Sequence, residues 1–574
     1  MTGREIVTLQ LGHYANFTGS HWWNAQEAAF VYDPKVLQAF PKEINHDLLF
    51  REGQTQKGQV TFTPRLVALD LRGSLNTLRK EGTLYGEASE EEVKWSGDVT
   101  LHQSAAGPKN EFLDDIEKAE EAEDVEWKRH RGQAGDEVRD GDEVEDASKT
   151  DKAMEVAEEA VFGQKFYQLD DQVRVWSDYL SVHLHPRSVQ ILQDYSLASE
   201  DEPFNVFGVG QQALCGEVWD DLEDRLRFFT EECDLLQGFH ILFDAHNSFG
   251  GATARVLHYL KDEFPGKAVL ALPVSPAILP DQTAKHRATR IINSALCVGM
   301  CASQSSLYVP LCLATSLWRN LGVPRDFPLL SYNPELNYHT SAILSAALDT
   351  MTFPYRQETN PLHLWDITTS FSSIGRKVAA LSSSLPMPLL ETGTFMDMLM
   401  SPHEAGALWH SLTPSVTRQA HPSFHSCVVR GVPPNKVKRD RAASSPRLSS
   451  RCDTVQDILQ LYLAETYPQS MNAGSVMRDP IDVSSPFPHI FQPQVTRAGL
   501  VSSTLRHPKC GVKSVPMMTS LQSSSDVGHY VSSLHAEASR FTIRRHHHFL
   551  EAGLEEEEFV ETLDTLHQLA DCYM

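Results

Sequence analysis

Twice in this chain an uncharged apolar run is followed within a few residues by glycine and then by a helical pattern. Ile6–Gln10 is such a run, Leu11-Gly12-His13 is the turn, and a helix carrying Trp22, Trp23 and Ala28 is expected from near Asn16. Gly238–Phe243 (GFHILF) is a second strand of the same kind, with a turn at Asn247–Gly251 and a helix over Ala252–Phe264. Arg65–Leu71 (RLVALDL) and Ala268–Pro273 read as further strands, with Asp70 near the end of the first. Trp219–Cys233 has the spacing of an amphipathic helix. Strand, glycine turn, helix, strand is the pattern of a parallel sheet covered by helices. Ligands of such sheets sit at the carboxyl ends of the strands, where these turns lie.

The C-terminal part reads differently. Asp526–Arg545 is a long helical pattern, a turn follows at Gly553, and Glu555–Cys572 is a second helix with Phe559, Leu563, Leu566 and Leu569 on one face. Together they predict a helical hairpin. Glu555–Glu558 complement the second helix's N-terminal dipole, so that acidic run needs no functional role.

Length and charge exclude several classes. At about 150 residues per domain, 574 residues make three or so units. The net charge of −26 argues against a nucleic-acid binder, which needs a basic face, and against docking on anionic lipid through bulk charge. Nine cysteines without a CxxC pair, Cys297 and Cys301 being the nearest two, fit reduced thiols rather than a disulfide or zinc framework. No apolar run reaches the ~18 residues of a membrane helix. The N-terminus has neither signal-peptide nor transit-peptide character, so the expectation is a cytosolic chain that reaches an organelle only from outside.

The charge is concentrated. Glu111–Ala160 holds 20 acidic and 7 basic residues, a net of −13, half of the whole. That composition predicts a disordered or loosely helical insertion, bounded roughly by 88 and 165. A basic Pro/Ser-rich stretch at about 432–452 predicts an exposed loop. Arg544–His548 offers three consecutive histidines, which on a helix point about 100° apart and so do not share one metal ion. His183 and His185 alternate, with no third ligand at metal spacing. No GxSxG, HExxH or Walker pattern occurs. No catalytic and no metal-ligating residue is assigned.

Several segments resemble tubulin. REIVTLQLGHYANFTG (Arg4–Gly19) resembles its opening strand and first phosphate loop, and Pro64-Arg65 with Asp70-Leu71 its next strand and loop. Leu184-His185-Pro186, Leu235–Phe239, Asp262–Pro265 and the Arg544–Phe559 region resemble later tubulin landmarks. The phrases ECDLLQGF, HLHPRS and SAILSAALDT, with the acidic insertion, resemble the Misato branch of the tubulin superfamily. The resemblance implies an α/β fold of the tubulin/FtsZ type. Its parts are a doubly wound parallel-sheet domain (1–292), a core helix from near Asn293 leading to an α+β intermediate domain (293–522), and a C-terminal helical hairpin (523–574).

It also implies where a nucleotide would lie. Gly12, Asn16 and Gly19 survive from the first loop, but the family's Gln-Cys-Gly is His13-Tyr14-Ala15. The glycine-rich signature is Ala245–Gly251, which keeps only Gly250 and Gly251, has Phe249 in the cradle, and leaves Asn247 and Ser248 as donors. Asp70 aligns with the acidic strand-end residue, and Asn293 and Asn337 with the two base-reading asparagines. Local helix or turn roles for both asparagines remain open. The catalytic acidic loop is replaced by Tyr355–Leu362, with Glu358 out of place and Pro361 altering the backbone. GTP hydrolysis is therefore not expected, and GTP or GDP would be held weakly if at all.

The functional expectation from the resemblance is a non-enzymatic regulator of mitochondrial distribution, fusion and network morphology. It would act from the cytosol and, as a peripheral protein, on the mitochondrial outer membrane, with proteins of that surface or the fusion machinery as partners. The alternatives are a factor for tubulin or its folding complex, microtubules and the mitotic spindle, or a guanine-nucleotide switch without hydrolysis.

Overall fold

The computed structural model describes residues 4–30, 42–54, 60–78, 109–119, 165, 167–199, 203–278, 283–318, 322–400, 408–416, 422–437, 452–507 and 510–574. The strands are β1 (Ile6–Leu11), β2 (Leu66–Arg72), β3 (Val189–Ser196), β4 (Gly238–Asp244), β5 (Ala268–Val274) and β6 (Leu307–Tyr308). They form one sheet in the order β3-β2-β1-β4-β5-β6, with every pairing parallel. This is the doubly wound order, and its switch point lies between β1 and β4. β1, β4 and β5 are buried along their whole length. Successive side chains feed two different cores: Ile6 faces one, while Val7, Leu9 and Leu11 face the other. A strand covered on both faces carries apolar residues toward both sides rather than at alternate positions only, which is why these mostly apolar runs stand out in the sequence.

Helix α1 (His13–Ala28) follows β1 directly, three residues earlier than expected. α2 (Phe207–Ala213) and α3 (Glu217–Glu231) precede β4; α4 (Phe249–Glu263) follows it and starts at Phe249 rather than Ala252. α5 (Ala284–Cys297) runs into a π-helical turn at Val298–Ala302.

The long central helix is α6 (Asn337–Met351), buried from Tyr338 onward. It packs on α1 on one side and on the second sheet on the other. The core helix therefore starts at Asn337, not near Asn293, which lies inside the amphipathic α5. β6 also follows residue 292, so the first domain extends past that boundary. A helix apolar or small on all sides is what a position between two layers requires.

The second sheet contains β7 (Ala380–Ser384), β8 (His410–Ser411), β9 (Phe424–Arg430), β10 (Met471–Met477) and β11 (Met517–Ser523), in the order β8-β7-β11-β9-β10. α7 (Val455–Thr466) covers it. The hairpin helices are α8 (Ser525–Ala538) and α9 (Glu556–Asp571), packed on each other and on α5. α8 stops seven residues before Arg545. The Arg544–His548 run is a turn followed by a short helix (His547–Glu551), with the His548 ring 3.1 Å from the Thr289 hydroxyl. His185 is likewise in a turn, its ring stacked on Phe228.

Part of the acidic insertion is ordered. Residues 111–119 form a helix whose Phe112 is buried against Tyr167. Asn110 caps that helix at the Leu113 amide (2.9 Å) and donates to the Asp178 carbonyl (2.6 Å), and Asp115 pairs with Lys165 at 2.6 Å. Residues 109–119 therefore depart from the expected disorder, and residues 88–108 of the same stretch lie outside the described residues. Residues 120–164, which carry most of its charge, and 438–451 of the basic loop lie outside the described residues. No helix among the described residues is long and apolar enough to cross a membrane.

Candidate functional site

The switch point brings four of the expected residues, Gly12, Asn16, Asp70 and Asn247, together around Asp244. Register places Leu11 beside both Leu69 and Phe243, so the ends of β1, β2 and β4 deliver Gly12, Asp70 and Asp244 to one spot. Gly12 has φ +121°, and a Cβ there would collide with the Asp244 carboxylate, so only glycine serves.

The N-terminus of α1, where a phosphate would be expected, is met by Asp244. Its Oδ1 accepts the Ala15 amide at 2.8 Å and its Oδ2 the Tyr14 amide at 3.3 Å. The Asn247 amide group donates to the same Oδ2 at 3.3 Å. Helix N-terminal amides and the helix dipole favour an anion, and here the chain supplies one covalently. Burial pushes Asp244 up to about 7, with Asp70 adding to the rise; the two backbone amides and His13 pull the other way.

Asp70 is equally engaged. It is 1% exposed. Its Oδ2 accepts Asn16 Nδ2 at 3.0 Å and Trp176 Nε1 at 2.9 Å, and lies 3.2 Å from His13 Nδ1. Its Oδ1 accepts the Leu71 amide at 2.8 Å. Asn16 also donates to the Leu69 carbonyl. Burial depresses the His13 imidazole, but the Asp70 charge and hydrogen bond outweigh it and leave His13 raised.

The signature loop has become a packing surface. Ser248 Oγ donates to the Val206 carbonyl at 2.7 Å. Phe249 is buried edge-on to Phe204, with ring centroids 4.9 Å apart, and its amide is taken by Asn247 Oδ1 at 3.0 Å. A Cβ on Gly251 would overlap the Phe207 carbonyl oxygen, and one on Gly210 the Ser248 carbonyl oxygen. A Cβ on Gly250 would touch Cys297 at ordinary contact distance. Gly251 thus lets α2 lie against the N-terminus of α4, rather than letting a phosphate approach it.

The two asparagines differ in setting. Asn293 is fully buried on α5. Its Oδ1 accepts the Phe207 amide at 2.9 Å, and its Nδ2 donates to the Asn205 and His246 carbonyls at 2.6 and 3.1 Å. These three bonds tie it to Asn205, to the first residue of α2 and to the loop after β4. Asn337 is half-buried at the first position of α6. Between α1 and α6 lies Tyr14, 2% exposed, its hydroxyl donating to Thr340 Oγ1 at 3.0 Å.

The replacement for the catalytic loop is also built into the core. Arg356 is 1% exposed; it pairs with Asp349 at 2.9 Å and donates to Gln26 Oε1 at 2.7 Å and Thr352 Oγ1 at 3.0 Å. Arg430 of β9 closes on the other Asp349 oxygen. Burial raises Asp349, but the two guanidiniums overcome it and hold the carboxyl below its ordinary value. The Tyr355 hydroxyl lies 2.9 Å from His240 Nε2. Glu358 is tied through its amide to the Glu43 carbonyl at 2.8 Å.

Asp244, Trp176 and Phe204 are the participants that motif matching missed. An acid closing the otherwise apolar run GFHILFD was the one available signal for Asp244.

A doubly wound sheet with these two loops at its switch point, a buried central helix and a helical hairpin defines a tubulin-like protein, and residues 168–357 match the tubulin domain model. Residues 4–118 match the model of the Misato segment II tubulin-like domain, which spans almost all of the ordered helix at 111–119. The chain is 38% identical to protein misato homolog 1 of Danio rerio, covering 99% of this chain and 97% of that protein. It is 34% identical to protein misato homolog 1 of Homo sapiens and 31% identical to protein misato of Drosophila melanogaster, each over 99% of this chain and 98% of the relative. The chain belongs to the Misato family.

Proposed function

We propose that this chain is a non-enzymatic, tubulin-like scaffold that regulates mitochondrial distribution, fusion and network morphology from the cytosolic face of the outer membrane. The observation that carries the non-enzymatic part is the Asp244 carboxylate on the α1 amides, which fills the anion position with a group of the chain itself. The spent side chains of Asp70 and Asn293, and Arg356 locked on Asp349, support the same reading. Its partners on this reading are proteins of the mitochondrial surface, met through the outside of the fold. The mitochondrial part rests on the family resemblance.

The test is a direct titration of the full chain with GTP, GDP and magnesium, beside rescue of mitochondrial network shape in cells lacking it. No binding at millimolar nucleotide, and full rescue by Asn337→Ala, are expected. Guanine-specific binding that Asn337→Ala abolishes together with rescue would overturn the scaffold reading in favour of a nucleotide switch.

A further inference from the structure

A cavity of about 530 Å³ opens between the C-terminal end of α1 and the far ends of β9 and β10, on the seam between the two sheets' layers. Its size is that of small-molecule sites, and a seam between units is where such sites concentrate. The apolar part of the wall is Ala25, Ala28, Phe30, Ile44 and Met477. His46 stacks on Phe30 at 3.9 Å and stays neutral, because burial and nearby cations push it down to about 4.

The charged groups divide into committed and uncommitted. Glu43 accepts the Arg478 and Asp479 amides, Asp479 pairs with Arg478 at 3.3 Å, and Asp482 accepts the Ser484 amide at 2.7 Å. Arg430 is spent on Asp349 and on the Asp479 and Pro480 carbonyls. Lys42 and Lys513 also line the cavity, both exposed, and neither makes an ion pair among the described residues. The α1 terminus contributes about half a negative charge at most. The Glu43 and Asp482 carboxylates, though still charged, are held on backbone amides, whereas the two ammoniums are free to turn to a ligand. Its Gln26 and Glu27 carbonyls are already met by the Ala29 and Phe30 amides.

From this apolar wall with two unpaired ammoniums we infer that the cavity binds a small amphipathic monoanion, an apolar chain or ring carrying one carboxylate. The site is remote in sequence from Asp244 and Asp70 and does not depend on the function proposed above.

The experiment is calorimetric titration of the full chain with dodecanoate, with dodecyltrimethylammonium and inorganic phosphate as the other arms. Dodecanoate binds, and neither the cationic chain nor phosphate competes with it. Lys42→Gln with Lys513→Gln weakens dodecanoate about ten-fold or more, as loss of charge-assisted contacts requires. Ala28→Phe, which projects into the cavity from an exposed helical position, abolishes binding while leaving the unfolding midpoint unchanged. Equal binding of the cationic chain, or dodecanoate affinity unaltered in both variants, overturns the proposal. If Ala28→Phe fails to fold, the lysine double variant alone decides.

Discussion

Asp244 Oδ1 and the amide of Ala15, 229 residues apart in sequence, are joined by a 2.8 Å hydrogen bond at the N-terminus of α1. The bond makes the strand's last side chain the counter-charge of the neighbouring helix. Asp244 has a folded-state pKa of about 7, above its unfolded value, so the folded chain binds a proton there that the unfolded chain does not. That contribution to stability is complete below pH 4 and is lost as pH rises through 7. His13, also raised, acts in the same direction around neutrality. Asp244→Asn is therefore expected to flatten the fall in Tm between pH 5 and 8, read by calorimetry at several pH values. An unchanged slope would remove Asp244 as its source.

Asn293 is expected to matter for folding and not for a ligand. Asn293→Ala strips the buried Phe207 amide of its acceptor, a loss of about 1–3 kcal/mol. Denaturant unfolding will show that loss with GTP absent, and hydrogen exchange will show earlier opening of 204–213. Normal stability with altered nucleotide binding would contradict this assignment.

Gly251→Ala tests the packing role of the signature loop. The new methyl must displace the Phe207 carbonyl, so α2 separates from α4 at a cost of about 1–3 kcal/mol. Gly250→Ala meets only ordinary contacts and is expected to be much milder. The difference between the two midpoints is the readout, and equal effects would count against it.

Asp349 lies between two arginines out of reach of water. Arg356→Met leaves that carboxylate to Arg430 and Gln26 alone and is expected to destabilise the fold by about 1–3 kcal/mol. Adding Asp349→Leu should deepen the loss, because it strands the buried Arg430 guanidinium without a counter-charge. Asp349 is held below its ordinary value, so its contribution is present above the unfolded pKa and disappears as pH falls through the folded one. The single variant should therefore blunt acid unfolding below pH 4.

The sheet was legible because β1, β4 and β5 are buried on both faces and so carry mostly apolar runs with no charge before Asp244. β3 and β6 were not found. β3 lies at an edge with five of its eight residues partly or fully exposed, and β6 is two residues long. The site residues were located but their partners were not. Asn16 and Asp70 are motif positions, whereas Trp176 reaches Asp70 across 106 residues and Asp244 reaches Ala15 across 229. The direction of a buried asparagine's amide is a tertiary fact: nothing local to RIINSALC says that Asn293 turns toward Asn205 and Phe207. The core helix was misplaced to Asn293 because α5 has the clearer amphipathic rhythm, while α6 is nearly featureless in being buried all round.

The carboxylate on α1 has a further meaning. A diffusible anion arrives, leaves and is replenished, so a fold that depends on one inherits the fluctuations of its supply. An anion attached to the backbone at residue 244 has no off-rate and no concentration. On the scaffold reading, this terminus has no loaded and empty forms for an exchange factor to interconvert. Timing on that reading is set from outside, by how many copies are made, where they are held, and how long they last.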